Sequence, residues 1–174
     1  MSTQLPLHTL GHVSTRARRV IGIDPGSVCA GYAVVEQRGT KLVRIASGVV
    51  ACGRQPFNQR LATLYDAFRA VVHEHGPTEG AIEAIYHQKN AQSALKLGHA
   101  RGAAILALVH ARLDVAEYEP SKVKLAVTGR GRADKEQVAA MVRVLVGDFE
   151  PASHDETDAL AVAICHLHQA PLLG

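Results

Sequence analysis

The chain has 174 residues and a formal net charge of +3, with 47% hydrophobic and 20% charged residues. This is an ordinary composition for one compact domain with a sizeable core. Three widely separated cysteines without a C-x-x-C pair argue against a zinc cage or a disulfide framework, and they favour a reducing, cytoplasmic setting. Apolar runs are far shorter than the roughly 20 residues that cross a bilayer, so no membrane partner is expected.

The two ends of the chain differ in character from its middle. Residues 1–17 are rich in Ser, Thr, Gly and His and lack the continuous apolar segment of a secretory signal. We expect a disordered extension over 1–17, one folded domain over 18–169 and a flexible tail over 170–174. A cleaved organellar peptide is the alternative for the first segment, but it has a single Arg and no clear amphipathic helix.

The first half of the domain begins with strands. An apolar run over 19–24 stops at Asp24, and the following Pro25-Gly26-Ser27 predicts a tight turn. Two further strands, 31–36 and 42–50, complete a predicted antiparallel meander. Apolar spacing then predicts a helix over 57–75, a strand over 79–86 and a long helix over 91–113. The predicted buried stripe of that long helix is Leu95, Leu97, Ala104, Ile105, Leu108 and Val109.

The second half is mainly helical. A short strand over 114–118 precedes a helix from Pro120 to Val127, because proline is tolerated in a first helical turn. Helices over 134–146 and 155–168 follow. This order predicts an α/β fold whose mixed sheet is antiparallel at its start and parallel after the first crossover.

Four acids stand out against this background. Asp24 and Glu83 lie within or at the end of apolar strands, where an unpaired carboxylate is costly to bury. Asp155 and Asp158 are three positions apart at a helix start, so they share a face with Cβ atoms about 5–6 Å apart. Each acid has an ordinary explanation as a turn or capping residue. An acid at a helix start stabilises the helix by about 0.3–1 kcal/mol.

The set of four favours a metal site. Converging carboxylates repel unless cations lie between them, and hard oxygen ligands suit Mg²⁺ or Mn²⁺ better than zinc. Two such ions roughly 3.5–4 Å apart support in-line phosphodiester cleavage without a nucleophilic side chain. The chain has no G-x-S-x-G, H-E-x-x-H or Walker-type motif, so serine hydrolases, zinc proteases and P-loop NTPases lack their defining residues.

Five sequence runs resemble one known family, RuvC, the bacterial Holliday junction resolvases. They are IGIDPG (21–26), AIE (81–83), KNAQSALKLGHARG (89–102), GRADKEQV (131–138) and DETDALAVAICH (155–166). The resemblance covers 18–168, and the long run over 89–102 is much more specific than an isolated acid. In the family pattern, Asp24 matches the first-strand acid, Glu83 the fourth-strand acid, and Asp155 with Asp158 the paired acids of the last helix.

The resemblance implies a fold and an activity. The fold is RNase H-like, with a mixed five-stranded sheet flanked by helices. The activity is metal-dependent, symmetric cleavage of two opposing strands of a four-way DNA junction by a homodimer, which leaves 5'-phosphate and 3'-hydroxyl nicks. A branch-migration motor of RuvA and RuvB is the implied partner complex.

A basic segment follows the fifth strand. Its candidate DNA-binding residues are Lys122, Lys124, Arg130, Arg132 and Lys135. A solvated helix and loop face is the ordinary explanation, but the flexible Gly129-Arg130-Gly131-Arg132 suits a sugar-phosphate track. By resemblance, Lys124 and Lys135 match positions that hold phosphate near the metals, and Tyr86 matches an aromatic position that could stack on an unpaired base.

Other interpretations stay open at this stage. His154 could assist metal binding or proton transfer, but the i, i+3 spacing favours Asp155 with Asp158 as the pair. Small residues on the helix over 91–113 leave a second face for a partner. The rival functions are an RNase H-like enzyme that processes RNA, a non-catalytic junction-binding protein and an actin-like ATP-binding domain, for which 174 residues leave too little room.

Overall fold

A computed structural model describes residues 17–84, 90–147 and 149–169. The secondary-structure elements of these ranges are β1 (Arg19–Asp24), β2 (Cys29–Arg38), β3 (Lys41–Ala51), α1 (Phe57–His75), β4 (Glu79–Glu83), α2 (Ala91–His110), β5 (Val115–Tyr118), α3 (Pro120–Thr128), α4 (Lys135–Val146) and α5 (His154–His168). Ala17 apart, the expected N-terminal extension and C-terminal tail lie outside the described residues. Within the described ranges, no helix is both long enough and apolar enough to cross a membrane.

The strands form one mixed sheet of order β3-β2-β1-β4-β5. Strand β2 pairs antiparallel with β1 and β3, whereas β1 with β4 and β4 with β5 are parallel pairs. This arrangement confirms the predicted α/β fold. The helices cover both faces, because one buried core joins the sheet to α1 and α2 and a second joins it to α3, α4 and α5.

The central strand β1 shows why both faces are covered. Successive side chains of a strand point to opposite faces. Val20 therefore packs in the core formed with α5, and Ile21 and Ile23 pack in the core formed with α1 and α2. All three side chains are fully buried. A strand that is apolar at consecutive positions is what a sheet with helices on both faces requires.

Helix α5 lies unusually close to this strand at Gly22. A Cβ atom at Gly22 would lie 2.4 Å from the carbonyl oxygen of Ala159 and 2.6 Å from the backbone nitrogen of Ala163. Both obstacles are backbone atoms, so a small rotation of a side chain would not relieve the clash. The missing side chain at Gly22 therefore sets the distance between α5 and β1.

We predict that Gly22→Ala destabilises the protein by about 3 kcal/mol, at the upper end of typical overpacking costs, because α5 must move away from the sheet. Urea unfolding followed by circular dichroism measures the change. Gly131→Ala is the matched control, since its Cβ would lie at an ordinary 3.4 Å from the Ser121 carbonyl oxygen. Equal effects of the two substitutions would contradict this packing argument.

The predicted limits of α2, β5 and β4 were wrong. Helix α2 ends at His110 rather than at residue 113, because Arg112 adopts a left-handed φ of 62° in a turn that leads into β5. Strand β5 accordingly begins at Val115 rather than at 114. Strand β4 ends at Glu83, although its apolar run had predicted a strand through residue 86. The acid is thus the last residue of its strand.

The predicted buried stripe of α2 was also partly wrong. Leu95 is 63% exposed and Val109 is 50% exposed. The buried face of α2 consists of Ala100, Ala104, Ala107 and Leu108, so the prediction was right for Ala104 and Leu108. Small alanines let the helix approach α1 and the sheet closely, whereas Leu95 and Val109 lie on the outer face. Hydrophobicity alone therefore extended the predicted stripe to residues that are exposed.

Candidate active site

Two of the four acids lie side by side at one edge of the sheet. Asp24 ends β1 and Glu83 ends β4. These strands are parallel neighbours, and Ile23 pairs in register with Ile82 one position earlier. Carboxyl ends of parallel strands meet at the same edge of a sheet, so the two carboxylates face the same space.

The first turn of α5 brings the other two acids to this edge. Asp155 lies against β2, where a Cβ atom at Gly31 would come within 1.9 Å of the Asp155 carbonyl oxygen. Gly31 in turn pairs with Asp24 across the β1–β2 ladder. The close contact at Gly22, one turn further along α5, continues the same packing and keeps Asp158 near Asp24 and Glu83.

Electrostatic effects on Asp24 show that the other three acids lie near it. Burial is the main cause that raises the pKa of Asp24 to about 8, and repulsion from Glu83, Asp158 and Asp155 adds to it. Burial and the charge of Asp158 also raise the pKa of Glu83. Raised pKa values such as those of Asp24 and Glu83 are typical of functional sites.

The carboxylates surround an open space rather than a closed cage. Over the described residues, no three acidic, histidine or cysteine side chains lie close enough to hold one ion together. The electrostatic coupling of the acids and this open spacing are compatible, because charge repulsion acts over longer distances than metal coordination. Four carboxylates supply hard oxygen donors only, and such a set fits Mg²⁺ or Mn²⁺.

Two lysines border the acidic cluster. The ammonium nitrogen of Lys135 is 3.6 Å from Oδ2 of Asp158. Lys135 and Lys124 both oppose the rise in the pKa of Glu83. These four side chains line a cavity of about 250 Å³ between α3, α4 and α5. Positive charge therefore lies directly beside the carboxylates.

The remaining candidate residues lie elsewhere or outside the described ranges. Lys122 does not line this cavity, and its ammonium nitrogen lies 5.1 Å from the ring centre of Tyr118. Arg130 and Arg132 are exposed in the loop between α3 and α4. His154 is exposed at the start of α5 and lines a separate pocket. Tyr86 lies outside the described residues.

Sequence reasoning missed two residues whose hydrogen bonds hold the first turn of α5: Cys29 on β2 and Glu156 in the turn itself. The Cys29 thiol donates a hydrogen bond to Oδ2 of Asp155 at 3.0 Å. The buried carboxylate of Glu156 accepts hydrogen bonds from the Ser47 hydroxyl and from the backbone N–H of Ala152. Contacts between residues more than 100 positions apart leave no local pattern in the sequence. The only available signal was an acid, Glu156, on the apolar side of a helix.

The mixed sheet and the carboxylates at the ends of its two central parallel strands define the class: an RNase H-like protein with an acidic site of the nuclease type. A family model described as crossover junction endodeoxyribonuclease RuvC matches residues 20–166. A relative of that name from Pelobacter propionicus is 50% identical over 156 residues, which cover 89% of each chain. The chain belongs to the RuvC family.

Solved structures agree with this assignment. A structure described as Thermus thermophilus RuvC in complex with a Holliday junction substrate is 34% identical, with a TM-score of 0.82, and the match covers 87% of this chain and 93% of the other. The yeast mitochondrial Holliday junction resolvase is 13% identical with a TM-score of 0.63, over 87% and 78% of the two chains. At that identity the second likeness concerns the fold alone.

We predict that Asp24→Asn stabilises the metal-free protein at pH 8. The folded state raises the pKa of Asp24 from 3.8 to about 8. Between about pH 4 and pH 8 the carboxyl of Asp24 is ionised in the unfolded chain but protonated in the folded one. The free energy of unfolding of the wild type therefore falls as the pH rises through this range. Removing the ionisable group should raise the free energy of unfolding at pH 8 by roughly 1 kcal/mol or more, because a shift of one pKa unit corresponds to about 1.4 kcal/mol.

Urea titrations in chelator at pH 4 and pH 8 measure this effect. The advantage of the Asn variant should shrink towards pH 4, because the carboxyl of Asp24 in the unfolded chain, with its ordinary pKa of 3.8, then also becomes partly protonated. Asp66→Asn, a change of an acid on α1 far from the cluster in sequence, is the control. An Asp24 variant that is less stable than the wild type at both pH values would contradict the electrostatic account.

Proposed function

We propose that this chain is a crossover junction endodeoxyribonuclease that cuts two opposing strands of a four-way DNA junction symmetrically in recombination and repair. The products are nicks with 5'-phosphate and 3'-hydroxyl ends, which a ligase can seal. The gathering of Asp24, Glu83, Asp155 and Asp158 at one sheet edge, in a chain of the RuvC family, is the observation that carries the proposal. A 34% identical RuvC is described as bound to a Holliday junction.

The four carboxylates are the proposed metal ligands and catalytic residues. Nucleases of this family are generally dependent on divalent metals. We assign Mg²⁺ or Mn²⁺, two per site, and when bound these ions activate water and stabilise the leaving oxygen. The protein's own contribution is to hold the acids together despite their repulsion. The raised pKa of Asp24 also means that ion binding near neutral pH must displace a proton from this carboxyl.

The lysines beside the acids have a complementary role. A cluster of carboxylates repels the phosphates of DNA, and Lys124 and Lys135 offset that repulsion at the cavity wall. They orient the phosphate that is cut. Lys122, Arg130 and Arg132 lie outside this cavity, so they contact phosphates further along a junction arm. Stacking of Tyr86 on an unpaired base at the crossover remains a prediction from the family pattern.

A homodimer matches the symmetry of the substrate. The outer face of α2 carries the exposed side chains of Leu95, Leu106 and Val109, and a Cβ atom at Gly98 or Gly102 would meet no neighbour within 4 Å. This apolar stripe with small residues at its centre allows two copies of the helix to approach closely. A two-fold dimer then presents two sites to two equivalent strands.

Cooperation with the RuvA and RuvB motor in the cytoplasm follows from the family.

The direct test uses labelled four-way junction, linear duplex and RNA hairpin, each with Mg²⁺, Mn²⁺ or chelator. We expect paired nicks in the junction alone, and only with metal. Asp24→Asn and Asp155→Asn should reduce the cleavage rate by at least about a thousandfold while junction binding in chelator persists. Cleavage of the RNA hairpin instead would favour an RNA-processing nuclease, and binding without any cleavage would favour a non-catalytic junction protein.

The basic loop should contribute to affinity through counterion release. Each phosphate contact adds about 0.9 to the slope of the logarithm of affinity against the logarithm of salt. We predict that the double substitution of Arg130 and Arg132 by Ala lowers the slope by about 2, as measured by fluorescence anisotropy. Lys41→Ala, at the hairpin end of the sheet opposite the acids, is the matched control and should leave the slope unchanged.

The dimer proposal has its own test. Leu106→Glu places a charge in the apolar stripe of α2, so sedimentation velocity should show a monomer that has lost most of its junction cleavage. Val144→Glu is the control, because Val144 is even more exposed, at 74%, but lies on α4. A wild-type protein that is monomeric and fully active would refute the dimer.

A further inference from the structure

Asp155 contacts β2 through both its main chain and its side chain. Cys29 and Gly31 are two positions apart on this strand, so they point to the same face of the sheet. The absent side chain of Gly31 makes room for the Asp155 carbonyl, which would otherwise lie 1.9 Å from a Cβ atom. The Cys29 thiol contacts the Asp155 carboxylate at 3.0 Å. One short stretch of β2 thereby fixes the position of this acid.

The thiol contact restricts how the carboxylate can turn. An aspartate in the first turn of a helix has two side-chain torsions, and repulsion from neighbouring acids would rotate it away from the cluster. A hydrogen bond at Oδ2 fixes these torsions and therefore the position of both oxygens. The thiol is a weak donor, but a charged acceptor strengthens the bond. By comparison, Asp158 is contacted by Lys135, whose long side chain is 64% exposed.

We propose that Cys29 is a positioning residue that orients Asp155 for cation binding through its S–H···O hydrogen bond. The inference rests on the proposed role of Asp155 as a metal ligand. Groups that orient metal ligands in this way commonly contribute 10- to 100-fold to metal affinity. A thiol donor places Cys29 at the lower end, at about tenfold.

A second contact on the same turn provides the matched control. Ser47 donates a hydrogen bond to the carboxylate of Glu156, the residue directly after Asp155. This bond also ties α5 to the sheet, but it acts on a buried acid outside the proposed ligand set. Ser47→Ala therefore removes one donor to one carboxylate in this turn without releasing the Asp155 side chain.

Isothermal titration of Mn²⁺ into the full-length, metal-free protein measures cation affinity without relying on activity. We expect Cys29→Ala to weaken Mn²⁺ binding about tenfold, and Cys29→Ser, which restores a donor, to remain within about threefold of the wild type. Ser47→Ala should bind Mn²⁺ as the wild type does. Thermal unfolding in chelator checks that each variant is folded, and if Cys29→Ala is not, Cys29→Val takes its place as the variant without a donor.

Three outcomes would overturn the proposal: unchanged affinity in Cys29→Ala, failure of Cys29→Ser to restore affinity, or an equal loss in Ser47→Ala. The last would mean that a loosened α5, rather than a misoriented Asp155, weakens binding. Failure of the proposed function looks different, because the wild-type protein itself would then bind no Mn²⁺.

Discussion

Repulsion among four carboxylates at one edge of the sheet is the constraint on which the rest of the structure depends. Burial and three neighbouring negative charges raise the pKa of Asp24 to about 8. Acids in such a place lower the stability of the folded protein unless positive charge compensates them. Lys124 and Lys135 supply part of that charge, and divalent cations are the natural source of the remainder. The proposed binding of cations thus follows from an arrangement of acids that is unfavourable without compensating charge.

The fold must hold these acids in place against their repulsion. Helix α5 does so through an almost continuous buried surface from Glu156 to Leu167, in which Asp158 is the one residue that is not buried. Gly22 on β1 and Gly31 on β2 let the backbone of α5 lie directly against these two strands. Ser153 caps the helix, and Glu156 fastens its first turn to Ser47. The packing energy of a whole helix therefore maintains the spacing of two acids.

Most of the fold could be predicted from the sequence because local signals marked its elements. The Pro25-Gly26 turn was correctly predicted to follow β1, and α1 spans Phe57–His75 as predicted. The exposure of Leu95 and Val109 on α2 could not be predicted, since three of the four buried residues of this helix are alanines, which hydrophobicity ranks below leucine and valine. The end of that helix was also missed, because Arg112 is a non-glycine residue with a positive φ.

The residues of the candidate site likewise include some that could be predicted from the sequence and some that could not. Asp24, Glu83, Asp155 and Asp158 were predictable because each is an acid at an apolar position or at a helix start, and because the family pattern contains all four. Cys29 and Glu156 were not predictable, since their partners are brought near by tertiary packing alone. The proposed metal ligands thus leave a mark in the sequence more readily than the residue proposed to position one of them.

Diffraction from crystals soaked in Mn²⁺, with anomalous scattering collected near the manganese edge, tests the central claim most directly. Two anomalous peaks roughly 3.5–4 Å apart, each within bonding distance of carboxylate oxygens from β1, β4 and α5, are the expected result. Peaks at another surface, or four carboxylates that remain apart with no ion between them at saturating Mn²⁺, would contradict it.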